Sequence, residues 1–157
     1  MEALQALANW PVAALLRESA IAYPLVNAAH ILGVGLLIGA IATLDLRLLG
    51  LFRATPLAHL APPLWRVAAT GLTLAALTGF LLFSTRPQSY LANPAFLAKL
   101  ALIAAGVVNA LILHRAAAWR SGLISGMVGP RLRVAALFSL SIWVSTVLAG
   151  RWIGFLQ

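Results

Sequence analysis

Long runs of apolar residues dominate the chain, and short segments rich in proline, glycine and arginine separate them. Four runs have about the 20 residues that a helix needs to cross a hydrocarbon core about 30 Å thick. Because backbone polar groups in lipid must bond within their own segment, each run is predicted to be a transmembrane helix. We place the spans at about 20–46, 66–84, 95–115 and 133–151. Their short connections predict an all-α, up-down four-helix bundle that forms a single transmembrane domain over residues 1–157.

The segment before the first span, about residues 2–19, has a different pattern. Glu2, Gln5 and Asn9 recur at helical spacing among alanines and leucines until Pro11 interrupts the pattern. Polar residues on one side of a short apolar helix are typical of a helix that lies on the membrane surface. We therefore predict a short interfacial segment of one or two helices.

The composition supports a membrane protein and changes how the charge is interpreted. With 62% hydrophobic and 9% charged residues, the chain lacks the polar surface of a soluble globule. A net charge of +8 would suggest nucleic-acid binding in a soluble protein. Here the basic residues lie mostly between the apolar runs, as membrane anchors do. The predicted partner is thus the lipid bilayer and not nucleic acid.

The basic residues also predict an orientation. Seven arginines belong to the side that bears the first and third loops, and four basic residues belong to the side that bears the termini. Because cytoplasmic loops carry the excess of lysine and arginine, the side with seven is predicted to be cytoplasmic. The two sets are Arg47, Arg53, Arg66, Arg115, Arg120, Arg131 and Arg133, against Arg17, Arg86, Lys99 and Arg151.

His30 lies inside the first predicted span, about 9–15 Å below the membrane surface at about 1.5 Å per residue. An ionisable side chain at this depth is expected to face the bundle interior and to have a partner. Asn27 shares its helix face. Gly33, one turn along, leaves room beside the imidazole either for a flat macrocycle or for another helix. Three roles stay open for His30: a neutral histidine bonded to Thr78 or Ser145, a ligand of haem b or copper, and a proton relay.

Two further histidines are predicted near the opposite membrane surface. His114 ends the third span, so it should differ in depth from His30 by roughly 12–18 Å, too much for the two axial ligands of one haem. His59, predicted in the first loop, lies on the same side as His114, so these two are a second candidate pair for haem or a metal ion. The alternative is that both are ordinary interfacial histidines.

Asp45 is the only acidic residue within the predicted spans. It lies near Arg47 where the first span ends, and we predict a structural ion pair with Arg47, Arg66, Arg115 or Arg133. Paired-carboxylate catalysis and oxygen-ligated divalent metal sites would need a second acid. The sequence also contains no G-x-S-x-G, H-E-x-x-H or G-x-x-x-x-G-K-[ST] motif, although this leaves open whether the protein is an enzyme.

Lys99 lies about four residues into the third predicted span, and two alternatives stay open for its side chain. Its ammonium group either reaches up to the lipid headgroups or turns inward. An inward Lys99 would join a polar network that includes Asn27, His30, Thr78 and Ser145. Asn109, deeper in the same span, is expected to make an interhelical hydrogen bond.

The chain resembles a family of small bacterial four-helix membrane proteins of unknown function, from about residue 20 onwards. More distantly, the histidine of the first helix and the Thr-Gly of the second are similar to copper-resistance-D-type domains and to four-helix membrane cytochromes b. The resemblance implies the bacterial inner membrane, with both termini periplasmic by the charge count. The matching positions are His30, Asp45, Arg47, Thr78, Gly79, Phe96, Lys99, Asn109, His114, Gly150 and Arg151.

Two functions are predicted from these features. The first is a redox module in which His30, and also His59 with His114, hold a b-type haem or copper for electron transfer. The second is a non-catalytic accessory or assembly subunit, in which the G-x-x-x-G of Gly35 and Gly39 docks on a membrane-protein partner or on a second copy. Transport of protons or small solutes is a weaker third function, since no internal inverted repeat is evident.

Overall fold

A computed structural model describes residues 2–156, which are almost entirely helical and contain no strand. Four helices are long and four are short. The long helices are α3 (Ala22–Leu49), α4 (Leu57–Thr85), α6 (Pro94–Arg115) and α8 (Pro130–Trp152). The short ones are α1 (Glu2–Ala8), α2 (Pro11–Glu18), α5 (Pro87–Ala92) and α7 (Ala117–Ser125), and a 3₁₀ turn (Ile153–Phe155) extends α8.

The four long helices are each long and apolar enough to cross a membrane, which confirms the predicted all-α class with four spanning helices. We call the end of the bundle that holds α1, α2, α5 and the 3₁₀ turn the terminal end. The opposite end, which holds α7 and the link between α3 and α4, is the loop end. Because the long helices alternate in direction between these ends, the packing is that of a helical bundle.

Local signals in the sequence explain where several helices begin and end. α3 ends at Gly50, whose φ of +113° is a left-handed conformation that glycine adopts without strain. α6 begins after Asn93, whose side chain accepts hydrogen bonds from the backbone N–H groups of Ala95 (3.0 Å) and Phe96 (3.3 Å). The Asn93 amide also donates to the carbonyl of Ile153 (3.2 Å), so the start of α6 is joined to the end of α8.

The largest difference from the sequence prediction is in α4, which begins at Leu57 and not near residue 66. It continues through Pro62 and Pro63, although each proline removes a backbone donor from the helix. The two prolines do not stop the helix, because Leu57 and Ala61 are buried in an apolar cluster at the loop end. His59, predicted in a loop, therefore lies in a helix.

The long helices pack in the order α4, α3, α8 and α6. α3 contacts α4 most extensively and also contacts α8, and α6 packs mainly on α8. In residues 2–156, α4 and α6 share no comparable interface. They meet at the terminal end, where the rings of Phe83 and Phe96 stack at 5.6 Å with Tyr90 beside them. The bundle thus has one loosely packed seam, between α4 and α6.

Candidate functional site

His30 extends from α3 to α4 in the half of the bundle nearer the terminal end. Its Nδ1 lies 3.0 Å from the carbonyl oxygen of Ala75 and 3.1 Å from Oγ1 of Thr78. The Thr78 hydroxyl donates its own proton to the carbonyl of Leu74 at 2.6 Å. Since a carbonyl oxygen only accepts, these contacts assign the proton of the neutral ring to Nδ1. The Nε2 atom of His30 therefore carries the free lone pair.

Close packing of two backbones holds this ring in place. A Cβ atom on Gly33 would lie 2.8 Å from the backbone nitrogen of Ala75, and one on Gly71 would lie 2.6 Å from that of Leu37. The space that Gly33 leaves beside the imidazole is therefore filled by the backbone of α4, which is the second of the two predicted alternatives. Gly79 of α4 is also close to the ring, since a Cβ there would approach Cε1 of His30 to 3.0 Å.

Lys99 brings a cationic side chain from α6 toward the same region. The residue is half-buried, and its Nζ lies 3.5 Å from where a Cβ on Gly150 of α8 would be. It is also within electrostatic reach of His30. The side chain of Lys99 thus packs over Gly150, where α8 has no side chain, and points into the bundle. This is the inward one of its two predicted orientations.

Two residues expected in this polar network are placed elsewhere. Asn27 and Ser145 are both exposed, whereas the neighbouring Thr146 is buried and donates to the carbonyl of Ile142 at 2.9 Å. The sequence analysis does not identify Thr146 as an inward-facing polar residue, although Thr146 and Gly150 are four residues apart and so lie on the same face of α8. That spacing is the signal that could have found it.

The predicted ion pair of Asp45 is not formed. Asp45 is only 3% exposed, and its Oδ2 has no hydrogen-bond partner in residues 2–156. Arg47 is also buried, but its Nε donates to the carbonyl of Thr55 at 3.0 Å. Residues two apart on a helix point in different directions, so Arg47 does not face the carboxylate. The three other predicted partners, Arg66, Arg115 and Arg133, are exposed.

Polar groups of three helices lie in the half of the bundle nearer the loop end. The side chain of Asn109 on α6 donates to the carbonyl of Ala135 on α8 at 3.4 Å, which is an interhelical hydrogen bond. One turn further along α8, the buried Ser139 faces Asp45 of α3. Between this layer and Lys99, the ring of Trp143 packs on Gly106, where a Cβ would lie only 2.8 Å from it.

The other two histidines lie at the loop end with exposed side chains. Nδ1 of His114 donates to the carbonyl of Ala110 at 2.8 Å, and its ring packs at a tilt against Trp119, 4.9 Å between centroids. Within residues 2–156 no group of three His, Cys, Asp or Glu side chains is placed to hold a metal ion. The pairing of His59 with His114 stays a prediction.

The arrangement around His30 offers one oriented nitrogen lone pair and one cation in an otherwise apolar region. It can bind a metal centre that needs a single histidine, or a hydrogen-bonding group of a ligand. No curated protein and no solved structure matches the chain, so the distant similarity to copper-resistance-D-type domains and cytochromes b stays a prediction. A family model described as a family of unknown function, DUF6644, matches residues 19–156, nearly the whole chain, so the protein belongs to this family.

Proposed function

We propose that this protein is a small redox module of the bacterial inner membrane that holds a b-type haem through Nε2 of His30. The observation that carries the proposal is the hydrogen bond between Nδ1 and the carbonyl of Ala75 (3.0 Å). A histidine that ligates a metal almost always donates its other N–H to a carbonyl, a carboxylate or water, which fixes the orientation of the ring. His30 has that arrangement, and Oγ1 of Thr78, 3.1 Å from Nδ1, is a second contact that holds the ring in this orientation.

Lys99 favours haem over a bare copper ion. A cation within electrostatic reach of His30 would repel copper, whereas it would pair with a propionate carboxylate of haem. Because the backbone of α4 fills the space at Gly33, a haem would need room on another side of the imidazole. A bound haem would supply one-electron transfer, while His30 would hold its iron and Lys99 would offset the charge of a propionate.

Visible absorption of the purified full chain, titrated with haem, tests the proposal. We expect a Soret band that shifts on reduction, its loss in His30→Ala and its retention in the matched variants His59→Ala and His114→Ala. Lys99→Gln should weaken haem binding about tenfold through loss of a charge-assisted bond. Circular dichroism of His30→Ala and His30→Gln checks that the helices persist. The absence of a Soret band, or an unchanged band in both folded His30 variants, would overturn the proposal.

A non-catalytic accessory or assembly subunit is a second candidate function, favoured by the packing of the glycines. A Cβ on Gly33, Gly71 or Gly106 would clash with a neighbouring helix, whereas no atom lies within 4 Å of a Cβ on Gly35 or Gly39. Both glycines are exposed on α3, where a transmembrane helix of a partner or of a second copy could approach closely. A colourless preparation in the haem titration would leave this function as the better supported one.

A further inference from the structure

A cavity of about 820 Å³ lies at the terminal end of the bundle, apart from His30. It is bounded by the end of α2, the first turn of α3, the α4–α5 junction and the end of the chain. Its wall combines two arginines, Arg17 and Arg86, with the apolar side chains of Leu16, Pro24 and Leu156. Its size is that of pockets that bind small molecules.

The guanidinium group of Arg17 is held in a defined position at this cavity. Its Nη1 donates to the carbonyl of Ala8 at 2.5 Å and to that of Thr85 at 3.2 Å. These two bonds join α1 to the end of α4. Because a guanidinium has five N–H donors, others stay free to bind an anion.

The electrostatics of the cavity favour a negatively charged ligand. Within the described chain, its lining contains two arginines and no acidic side chain. The lining also includes Tyr23 and Tyr90. Burial, followed by the adjacent Tyr23, raises the pKa of the Tyr90 phenol, and Arg86 opposes this shift. Tyr90 is therefore neutral at physiological pH and adds a hydroxyl donor without adding negative charge.

We propose that this cavity binds the phosphate group of an anionic phospholipid, with Arg17 and Arg86 as the charged contacts. A lipid is favoured over a free anion because Leu16, Pro24 and Leu156 supply an apolar wall for an acyl chain. The position of the cavity also matches the headgroup level, since α3 and α4 reach the membrane surface here. This site is independent of any cofactor at His30.

Native mass spectrometry of the full chain, released from detergent with added lipid, tests the proposal. Phosphatidylglycerol should give one tightly bound lipid, and phosphatidylcholine a weaker one. Arg86→Gln is the variant of choice, since Arg86 is exposed while Arg17 joins two helices. We expect it to weaken phosphatidylglycerol binding about fivefold. Arg151→Gln is the matched control, because Arg151 is exposed at the same end and lies outside the cavity.

Three outcomes would overturn the proposal. Equal binding of the two lipids would show that the charge of the headgroup is not recognised. An equal loss in Arg151→Gln and Arg86→Gln would indicate general attraction by surface arginines. Displacement of phosphatidylglycerol by an equal concentration of inorganic phosphate would show that the site takes a free anion. An unchanged circular dichroism spectrum of Arg86→Gln establishes that the loss does not come from unfolding.

Discussion

Asp45 is the most unfavourably placed single residue in the described chain. Its carboxyl group is buried, and Oδ2 lacks a hydrogen-bond partner in residues 2–156. Burying a carboxylate lowers the free energy of unfolding, because the group loses its hydration and, although Ser139 faces it, Oδ2 gains no hydrogen bond within the described residues in return. A structure that retains such a residue is less stable than one with a neutral amide of the same shape.

We therefore expect Asp45→Asn to raise the free energy of unfolding by about 1–3 kcal/mol. Thermal unfolding of the purified protein in one detergent measures the change. Arg47→Gln is the comparison, since Arg47 is buried nearby and its Nε does have a partner, the carbonyl of Thr55. It should be less stable than the parent. A melting temperature of Asp45→Asn below that of the parent would contradict this account.

The sequence predicts the depth of single residues better than their direction. His30 was expected to face inward with Thr78 as one possible partner, because an imidazole in lipid must find one. The ion pair of Asp45 and the inward direction of Ser145 were wrong. Such errors arise because the long helices are apolar all round, so hydrophobicity does not mark which face meets a neighbour.

At the scale of helices, the α3–α4 contact depends on two glycines. A Cβ on Gly71 would lie 2.6 Å from the backbone nitrogen of Leu37 and 2.7 Å from the carbonyl of Gly33. Backbone atoms cannot rotate away as a side chain can, so the two helices would have to separate. Separation would also lengthen the bonds between His30 and α4.

Gly71→Ala is thus expected to lower the free energy of unfolding by about 1–3 kcal/mol, the usual cost of overpacking. Gly35→Ala is the matched control, since nothing lies within 4 Å of its Cβ and alanine favours a helix by about 1 kcal/mol. Its stability should be equal to or above that of the parent. Thermal unfolding measures both variants, and equal melting temperatures would argue against a close α3–α4 contact.

The sequence predicts the long helices themselves closely, but it misses elements that depend on packing. Hydropathy and length locate α3, α6 and α8 to within a few residues of their observed bounds. α7 lies within the connection predicted between the third and fourth spans, where glycine and serine residues disfavour a helix. It forms because Trp119 is buried in the apolar cluster at the loop end, a contact between segments distant in the sequence.

At the scale of the whole molecule, two polar layers lie at different depths. His30 and Asp45 are fifteen residues apart on α3, which is about 22 Å at about 1.5 Å per residue. Trp143 and the glycine contacts lie between them, so the two layers are separated by tightly packed, apolar side chains. The fold class and the number of long apolar helices can be predicted from hydropathy. The loosely packed seam between α4 and α6 cannot, because it depends on how all four long helices pack together.

The direction in which the molecule crosses the membrane is a property of the whole chain. The four long helices are each long and apolar enough to cross, which predicts that residues 2 and 156 lie on the same side of the membrane. The loop end carries more arginines than the terminal end. By the positive-inside rule the loop end should be cytoplasmic.

Chemical labelling of introduced cysteines tests this orientation. The chain has no cysteine, so the labelling of a single introduced cysteine shows on which side of the membrane that residue lies. Gln88→Cys at the terminal end and Ala54→Cys at the loop end are both at exposed positions. In intact cells a membrane-impermeant maleimide should label only Gln88→Cys, and permeabilised cells should show both labelled. Each variant is the control for the other. In intact cells, labelling of Ala54→Cys alone would show that the loop end faces the outside, which contradicts the predicted orientation. Labelling of both variants in intact cells would contradict the four-span topology.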